Sequence, residues 1–165
     1  MITAEKLTFG FDSTPLFQNI SFTLEDNCHC AMIGSNGTGK STFIKCLLGE
    51  EDCKGKIQFG PTVKWGYLPQ IIHFDHPERS LYDTMLYEKN CTPQVARDRL
   101  GAFLFQGEDV FKSVGNLSGG EQSRLRLCML MDEKINFLIL DEPTSQLDPI
   151  AASDFLNTVR KINIE

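Results

Sequence analysis

The stretch Gly34-Ser35-Asn36-Gly37-Thr38-Gly39-Lys40-Ser41-Thr42 constrains the chain more than any other. Two glycines at a set spacing, then Lys and Ser, build a turn whose successive N–H groups point inward at an anion. The following helix adds the positive end of its dipole. Lys40 can then reach the β- and γ-phosphates of a nucleotide, and the Ser41 hydroxyl can sit on the Mg²⁺ that bridges them. Gly is only about 7% of average sequence, so chance matches are rare. A Gly-rich loop that merely turns the chain is the plain alternative. The flanking pattern, a buried-looking strand over 28–33 and a helix after it, favours the phosphate cradle.

The 165 residues suffice for one substantial core. A net charge of −6 argues against a broad electrostatic grip on nucleic acid or an anionic membrane, though a local basic site is compatible with it. Six cysteines make an even set, but Cys46 and Cys128 fall in helical apolar patterns and no secretory signal precedes them. They read as reduced thiols, mostly in the core. Cys28 and Cys30 lack a second pair at zinc-site spacing. No apolar run is long enough to span a bilayer, so a soluble, cytoplasmic protein without direct membrane insertion is expected.

Residues 2–24 alternate with a two-residue period; Ile20, Phe22 and Leu24 are separated by Ser21 and Thr23, which suits half-buried antiparallel strands. Phe11 lies between the first two strands, ahead of the turn residues Asp12 to Pro15. It can stack on a base or be ordinary core, and position alone favours core. After the cradle, Phe43, Ile44, Leu47 and Leu48 recur at helical spacing, and Gly49 ends the helix. A second β region follows: Lys56 to Phe59, a Gly60-Pro61 turn, then Val63, Trp65 and Tyr67 alternating up to Gln70. Gln70 ends a strand, where a polar group can enter a site; taken alone it would read as a solvated loop residue.

Residues 71–116 read as an interrupted helical insert. Ser80 caps a helix through Lys89 with Leu81 and Met85 inward, and Thr92-Pro93 starts another with Ala96, Leu100, Phe103 and Leu104 on one face. Arg97 and Arg99 read as a solvated face. His73 and His76 have no partners at a useful spacing. Ser118, Gly119 and Gly120 then open a helix carrying Leu125, Cys128 and Met129 inward, a second anion-site pattern or a plain N-cap. Phe137 to Leu140 is a fully apolar strand ending in Asp141-Glu142. Carboxylates there sit where α/β sheets bind ligands: Asp141 can hold Mg²⁺ and Glu142 can orient or deprotonate an attacking water. Two acids can also be a simple polar strand exit. Asp148-Pro149 caps the last helix, with Ala152, Phe155, Leu156 and Val159 inward.

Taken together, these motifs resemble in order and spacing the nucleotide-binding domain of ATP-binding cassette proteins. The resemblance covers nearly the whole chain. It implies an α/β fold: a P-loop NTPase core with an N-terminal antiparallel β subdomain, a helical subdomain over 71–131, and one partial cassette domain over 1–165. It also implies Walker A at 34–42, a Q-loop at Gln70, the signature at 117–122, Walker B at 137–142 and a D-loop at 145–148. ATP and Mg²⁺ are the implied ligands. Gly34, Ser35, Asn36, Gly37, Thr38, Gly39, Lys40, Ser41 and Thr42 then bind nucleotide, with Phe11 stacking on adenine, which reverses the preference for core. Ser118, Gly119 and Gly120 close over ATP held by a second cassette, so that partner is implied too. Ser41, Gln70 and Asp141 are the metal-side residues; Glu142, Gln70 and Lys40 are the catalytic ones.

Within the family the chain looks most like the F class, soluble cassettes without a membrane domain that act on the ribosome. The run Phe103 to Val110 and the compact insert carry that likeness. Ser145-Gln146 departs from the Asn-His usual there, and one cassette is present rather than a pair. The family also has a further strand and a switch histidine after the last helix. Neither lies in this sequence, and His29, His73 and His76 are all upstream. A C-terminally truncated cassette is therefore expected, with a sheet incomplete at its C-terminal end. Three activities follow as alternatives: an F-class ATPase, the ATPase subunit of a transporter, and a dimerisation module that holds ATP without hydrolysing it.

Overall fold

The computed structural model describes residues 1–11, 14–26, 28–131, 135–145 and 147–161. It divides into two compact units, Met1–Val63 and Lys64–Glu165. Asp12 in the expected first turn and Gln146 in the expected D-loop lie outside the described residues.

In the first unit, β1 (Ile2–Phe11) pairs antiparallel with β2 (Thr14–Leu24) on one edge and with β3 (Lys54–Phe59) on the other, giving the order β2-β1-β3. The two-residue alternation is present as read, with Ile20, Phe22 and Leu24 turned inward and Ser21 and Thr23 outward. The β1–β2 register slips between Ala4 and Leu7 and again around Phe9. At these slips Lys6 and Asn19 adopt left-handed backbone conformations. Their N–H groups donate to Ser21 Oγ at 2.9 Å and Thr8 Oγ1 at 3.0 Å, so hydroxyls stand in for lost ladder carbonyls. The helix α1 (Lys40–Leu48) lays Phe43 on the sheet among Ala4 and Leu7, with Phe17 and Phe22 ring-packed against it at 5.5 and 5.8 Å. Gly49 ends α1 with φ 77°, its N–H donating to Cys46 O.

One expected element is missing. Residues 28–33 form no strand, and all of them are exposed, Ile33 to 93%. Apolar composition gives a segment the propensity for a strand, but only ladder bonds to a neighbour make one. None of β1, β2 or β3 pairs with this run. Cys28 and Cys30 are therefore exposed rather than core thiols, whereas Cys46 and Cys128 are buried as expected. No disulfide joins the described cysteines. Burial and the neighbouring Cys53 thiol push the Cys46 pKa up to about 11, which keeps it protonated and unreactive.

In the second unit, β4 (Trp65–Leu68) and β5 (Phe137–Leu140) pair in parallel from Trp65↔Phe137 to Leu68↔Leu140. This parallel sheet has two strands among the described residues, an incomplete sheet as anticipated. The buried face of β4 is carried by Gly66 and Leu68, while Trp65 is 43% exposed. Gly66 is close-packed: a Cβ there would lie 2.8 Å from Ile135 Cδ1.

The insert contains α2 (Leu81–Glu88) and α3 (Pro93–Ala102), capped by Ser80 and Thr92 as read. Two short 3-10 turns, Gly107–Phe111 and Val114–Asn116, lead into α4 (Gly119–Leu130). Leu81, Met85, Ala96, Leu100, Leu125 and Cys128 make one cluster. A second cluster joins Leu68, Leu127, Leu130, Ile135 and Phe155, the last from α5 (Pro149–Lys161). Asp148 Oδ1 accepts from Ile150 and Ala151 N–H, the expected cap. Leu104 is 50% exposed, because the chain leaves α3 at Ala102 and places Leu104 at φ 66° beyond the helical face. Leu156 is 41% exposed, one residue past the fully buried Phe155 that anchors α5. Arg97 is exposed over the Tyr82 ring, but Arg99 is half-buried, so only the first belongs to a solvated face.

Phe155→Ala should remove the centre of the second cluster and lower unfolding free energy by about 3–5 kcal/mol, read as a shifted urea midpoint.

Candidate functional site

The loop at 34–39 belongs to the first unit. Gly37 and Gly39 take φ of 81° and 90°, conformations that only glycine adopts without strain. A Cβ on Gly39 would also lie 2.6 Å from Leu16 Cγ and Cδ2, and one on Gly34 would lie 2.7 Å from Thr38 Oγ1. The concave backbone thus depends on missing side chains at both ends. Thr38 Oγ1 donates to Ser35 O at 2.9 Å, tightening the turn. Lys40 Nζ donates to Gly34 O at 2.9 Å and to Ser35 O at 3.0 Å, so its ammonium lies on the loop itself. Ser35, Asn36, Gly37 and Thr38 are exposed, and Lys40, Ser41 and Thr42 are half-buried at the start of α1.

Phe11 is 63% exposed, which overturns an ordinary core role. Its ring meets Phe9 edge-on at 5.1 Å; Phe9 stacks on Phe17 at 6.0 Å, and Phe17 meets Phe43 of α1 at 5.5 Å. A ladder of rings therefore runs from an exposed aromatic face to the helix that carries Lys40. Leu16, two residues beyond the start of β2, touches Gly39, so this end of the hairpin adjoins the loop.

The second unit gathers the other candidates at the carboxyl ends of β4 and β5. Asp141 N donates to Leu68 O at 3.0 Å, extending the ladder by one step. The Asp141 side chain is only 4% exposed, and Tyr67 Oη donates to its Oδ2 at 3.3 Å. Glu142 takes φ 46°, a left-handed conformation that turns the chain sharply. Gln70 Nε2 donates to Glu142 Oε2 at 3.2 Å and to Ser145 Oγ at 3.3 Å. A small cleft lies beside this trio, closed on its other side by Gly119, Gln122 and Ser123 at the start of α4.

That helix start is tightly specified. Ser118 Oγ accepts from Glu121 N, while Glu121 Oε2 accepts from Ser118 N at 2.8 Å, a reciprocal capping box. Partial burial works to raise the Glu121 pKa, but the two Ser118 donors and the Lys112 and Arg124 charges outweigh it, and the net shift is downward. Ser118 and Gly119 are exposed, although the Ser118 N–H is held by Glu121. Gly120 instead is buried: a Cβ there would lie 3.2 Å from Leu147 Cδ2, so it lets the turn after β5 approach α4.

Taken by itself, the first unit has donors that suit a nucleotide polyphosphate and the second has oxygen ligands that suit magnesium. The first offers a glycine cradle that Cβ atoms would fill, with a positioned ammonium and a hydroxyl beside it. The second offers a buried carboxylate, a carboxylate beside it and an amide, all hard oxygen or hydrogen-bonding groups. His73 and His76 are exposed, and His76 Nδ1 lies 3.2 Å from Glu78 Oε1, so neither joins the trio. Sequence reasoning missed Tyr67 and gave Ser145 no role of its own. A tyrosine inside an apolar strand three residues before Gln70 was the available signal, since a buried phenol needs a partner.

A family model described as ABC transporter matches residues 17–145. The chain is 40% identical over 151 residues to the putative ATP-binding protein YdiF of Bacillus subtilis, covering 90% of this chain and 24% of that one. It is 37% identical over 155 residues to the probable ATP-binding protein YbiT of Escherichia coli O157:H7, covering 89% and 28%. The energy-dependent translational throttle protein EttA of Mycobacterium tuberculosis is 33% identical over 154 residues, covering 90% and 28%. The chain thus spans about a quarter of the length of these curated relatives. Among solved structures, an inward-facing metal-chelate-type ABC transporter superposes with TM-score 0.78 at 26% identity, over 96% of this chain and 66% of that one. An Atm1-family exporter with ATP bound superposes equally well, TM-score 0.78 at 22% identity over 98% and 32%, and shows the fold alone.

Ser118→Ala should cost about 1 kcal/mol of stability through loss of the cap, measured by urea unfolding. Because the folded pKa of Glu121 lies below its unfolded value, its contribution is present above the unfolded value and lost as pH falls through the folded one. Glu121→Gln should therefore be less stable than the parent near neutrality, with the difference shrinking in titrations carried below pH ~4.

Proposed function

This chain belongs to the ATP-binding cassette (ABC transporter) family, most like its F class, and from that membership we propose that it binds Mg-ATP and hydrolyses it in the service of the ribosome and translation. The observation that carries the reading is the buried Asp141 at the end of β5, followed by a Glu142 already hydrogen-bonded to Gln70. We assign the nucleotide to the backbone amides of Gly34 to Thr42, with Lys40 on its phosphates and the exposed Phe11 ring on its base. Ser41, Gln70 and Asp141 are assigned to magnesium. When bound, that ion neutralises charge on the phosphate oxygens.

Glu142 is the group assigned to water activation. It accepts a proton as the water oxygen attacks the γ-phosphorus and the bond to the β–γ bridging oxygen breaks, leaving ADP and inorganic phosphate. Lys40 offsets charge developing on the transferred group. Ser118, Gly119 and Gly120 are assigned to nucleotide held by a second cassette, a reading supported by the exposure of Ser118 and Gly119 at a helix start. We treat residues 1–165 as a single partial cassette domain and 71–131 as its helical subdomain.

A ribosomal target is supported by likeness to EttA, an energy-dependent translational throttle protein. A cytoplasmic location is consistent with the described residues, in which no helix is long and apolar enough to cross a membrane.

Purified protein should release phosphate from Mg-ATP. Glu142→Gln should cut turnover by about 10²-fold or more while retaining nucleotide, and Lys40→Ala should weaken nucleotide binding itself. Full turnover in Glu142→Gln would remove that residue from the chemistry. With ATP present, the Glu142→Gln protein should co-sediment with ribosomes; retention by membranes instead would favour the transporter-subunit reading. Nucleotide-dependent pairing with no phosphate release would favour a non-hydrolysing module.

A further inference from the structure

Gln70 leaves β4, whereas Glu142 and Ser145 leave β5, and the parallel register brings the three together. The Gln70 amide nitrogen carries two hydrogens. Both have acceptors, Glu142 Oε2 at 3.2 Å and Ser145 Oγ at 3.3 Å. A carboxylate oxygen only accepts, so a flipped amide would set its oxygen against the Glu142 oxygen and lose that bond, whereas the Ser145 hydroxyl, which donates as well as accepts, holds either end. The acceptors are themselves held in one frame. Ser145 N donates to Glu142 O at 3.0 Å across the turn that Glu142 begins with its φ of 46°.

We infer that Ser145 is a positioning residue, whose hydroxyl holds the Gln70 carboxamide beside Glu142, so that the carboxylate keeps the amide nitrogen and the amide oxygen is the end that Gln70 presents to a bound magnesium ion. The inference rests on the assignment of Gln70 to the metal. Amide oxygen is a hard donor suited to magnesium, and the amide nitrogen is not a ligand at all. A side chain free to flip would offer the wrong end for part of the time. With the nitrogen fixed by two acceptors, orientation is settled before the ion arrives, and Ser145 acts without touching metal, nucleotide or water.

The test uses the full 165-residue chain with ¹⁵N-labelled glutamine side chains. Gln70→Ala identifies the Gln70 side-chain resonance pair in the ligand-free protein. In the parent both protons should be displaced from solvent-exposed amide values. Ser145→Ala should return one of them toward those values, and Ser145→Thr, which keeps the hydroxyl, should not. An unchanged pair in Ser145→Ala overturns the inference.

A second arm measures Mn²⁺ affinity by electron paramagnetic resonance in the presence of an ATP analogue with a β–γ imido bridge. Ser145→Ala should weaken Mn²⁺ binding about 3- to 10-fold, as expected for one lost hydrogen bond. That loss should disappear in the Gln70→Ala background, because the effect is routed through Gln70. A loss of the same size in both backgrounds overturns the positioning role. If the parent binds no metal-nucleotide, the functional reading falls while the resonance arm still decides the placement of the amide.

Discussion

The parallel pairing of β4 with β5 is the interaction on which the chemistry of the second unit depends. Parallel strands deliver their carboxyl ends to the same edge, so the residues that follow them meet there without further instruction. Four ladder pairs and the added Asp141 N to Leu68 O bond fix the register. A one-residue slip would send Asp141 to the opposite face. It would also part Gln70 from Glu142, since their contact spans the two strand exits.

What holds that short pair in place is α4. Seven of its twelve residues are buried. Leu125, Cys128 and Met129 face the helices of the insert, whereas Leu127 and Leu130 face β4, β5 and α5. A helix apolar on both sides is an internal one, and this one belongs to two clusters at once. Its first turn is also the exposed Ser118-Gly119 end. The capping box uses the Ser118 and Glu121 N–H groups within the first turn, so the helix start is fixed by its own side chains.

Features set by local chemistry were legible in the sequence. Ser80, Thr92, Ser118 and Asp148 all cap helices as read, because a cap needs only a side-chain oxygen and the next turn of backbone. Glycine at 34, 37 and 39 was legible for the same reason. Features set by partners were not. The 28–33 run has strand composition, but none of β1, β2 or β3 pairs with it. Trp65 faces outward because Gly66, not its bulky neighbour, fits against Ile135. Leu104 and Leu156 match a helical stripe on paper, yet one falls past a helix end and the other one step beyond the anchoring Phe155. Ser145 is a small loop hydroxyl whose partner is 75 residues away; nothing local could announce it.

The cradle in the first unit raises a different energetic question, because its lysine is already occupied. Lys40 Nζ rests on two carbonyls of the loop it serves, Gly34 O and Ser35 O. Any anion that took this lysine would have to compete with those bonds, and the net gain would be smaller than the full strength of a charge-assisted contact. The same bonds supply order in advance. They hold a long, flexible side chain against the loop, so less rotamer entropy remains to be lost when an anion arrives. Gly37 and Gly39 keep the backbone in its left-handed turns with no side chain in the way. Leu16, pressed on Gly39 from β2, fixes the loop against the sheet. An exposed loop of this kind keeps its shape through its own hydrogen bonds and one apolar contact, which makes Leu16 as much a part of the loop's architecture as the lysine.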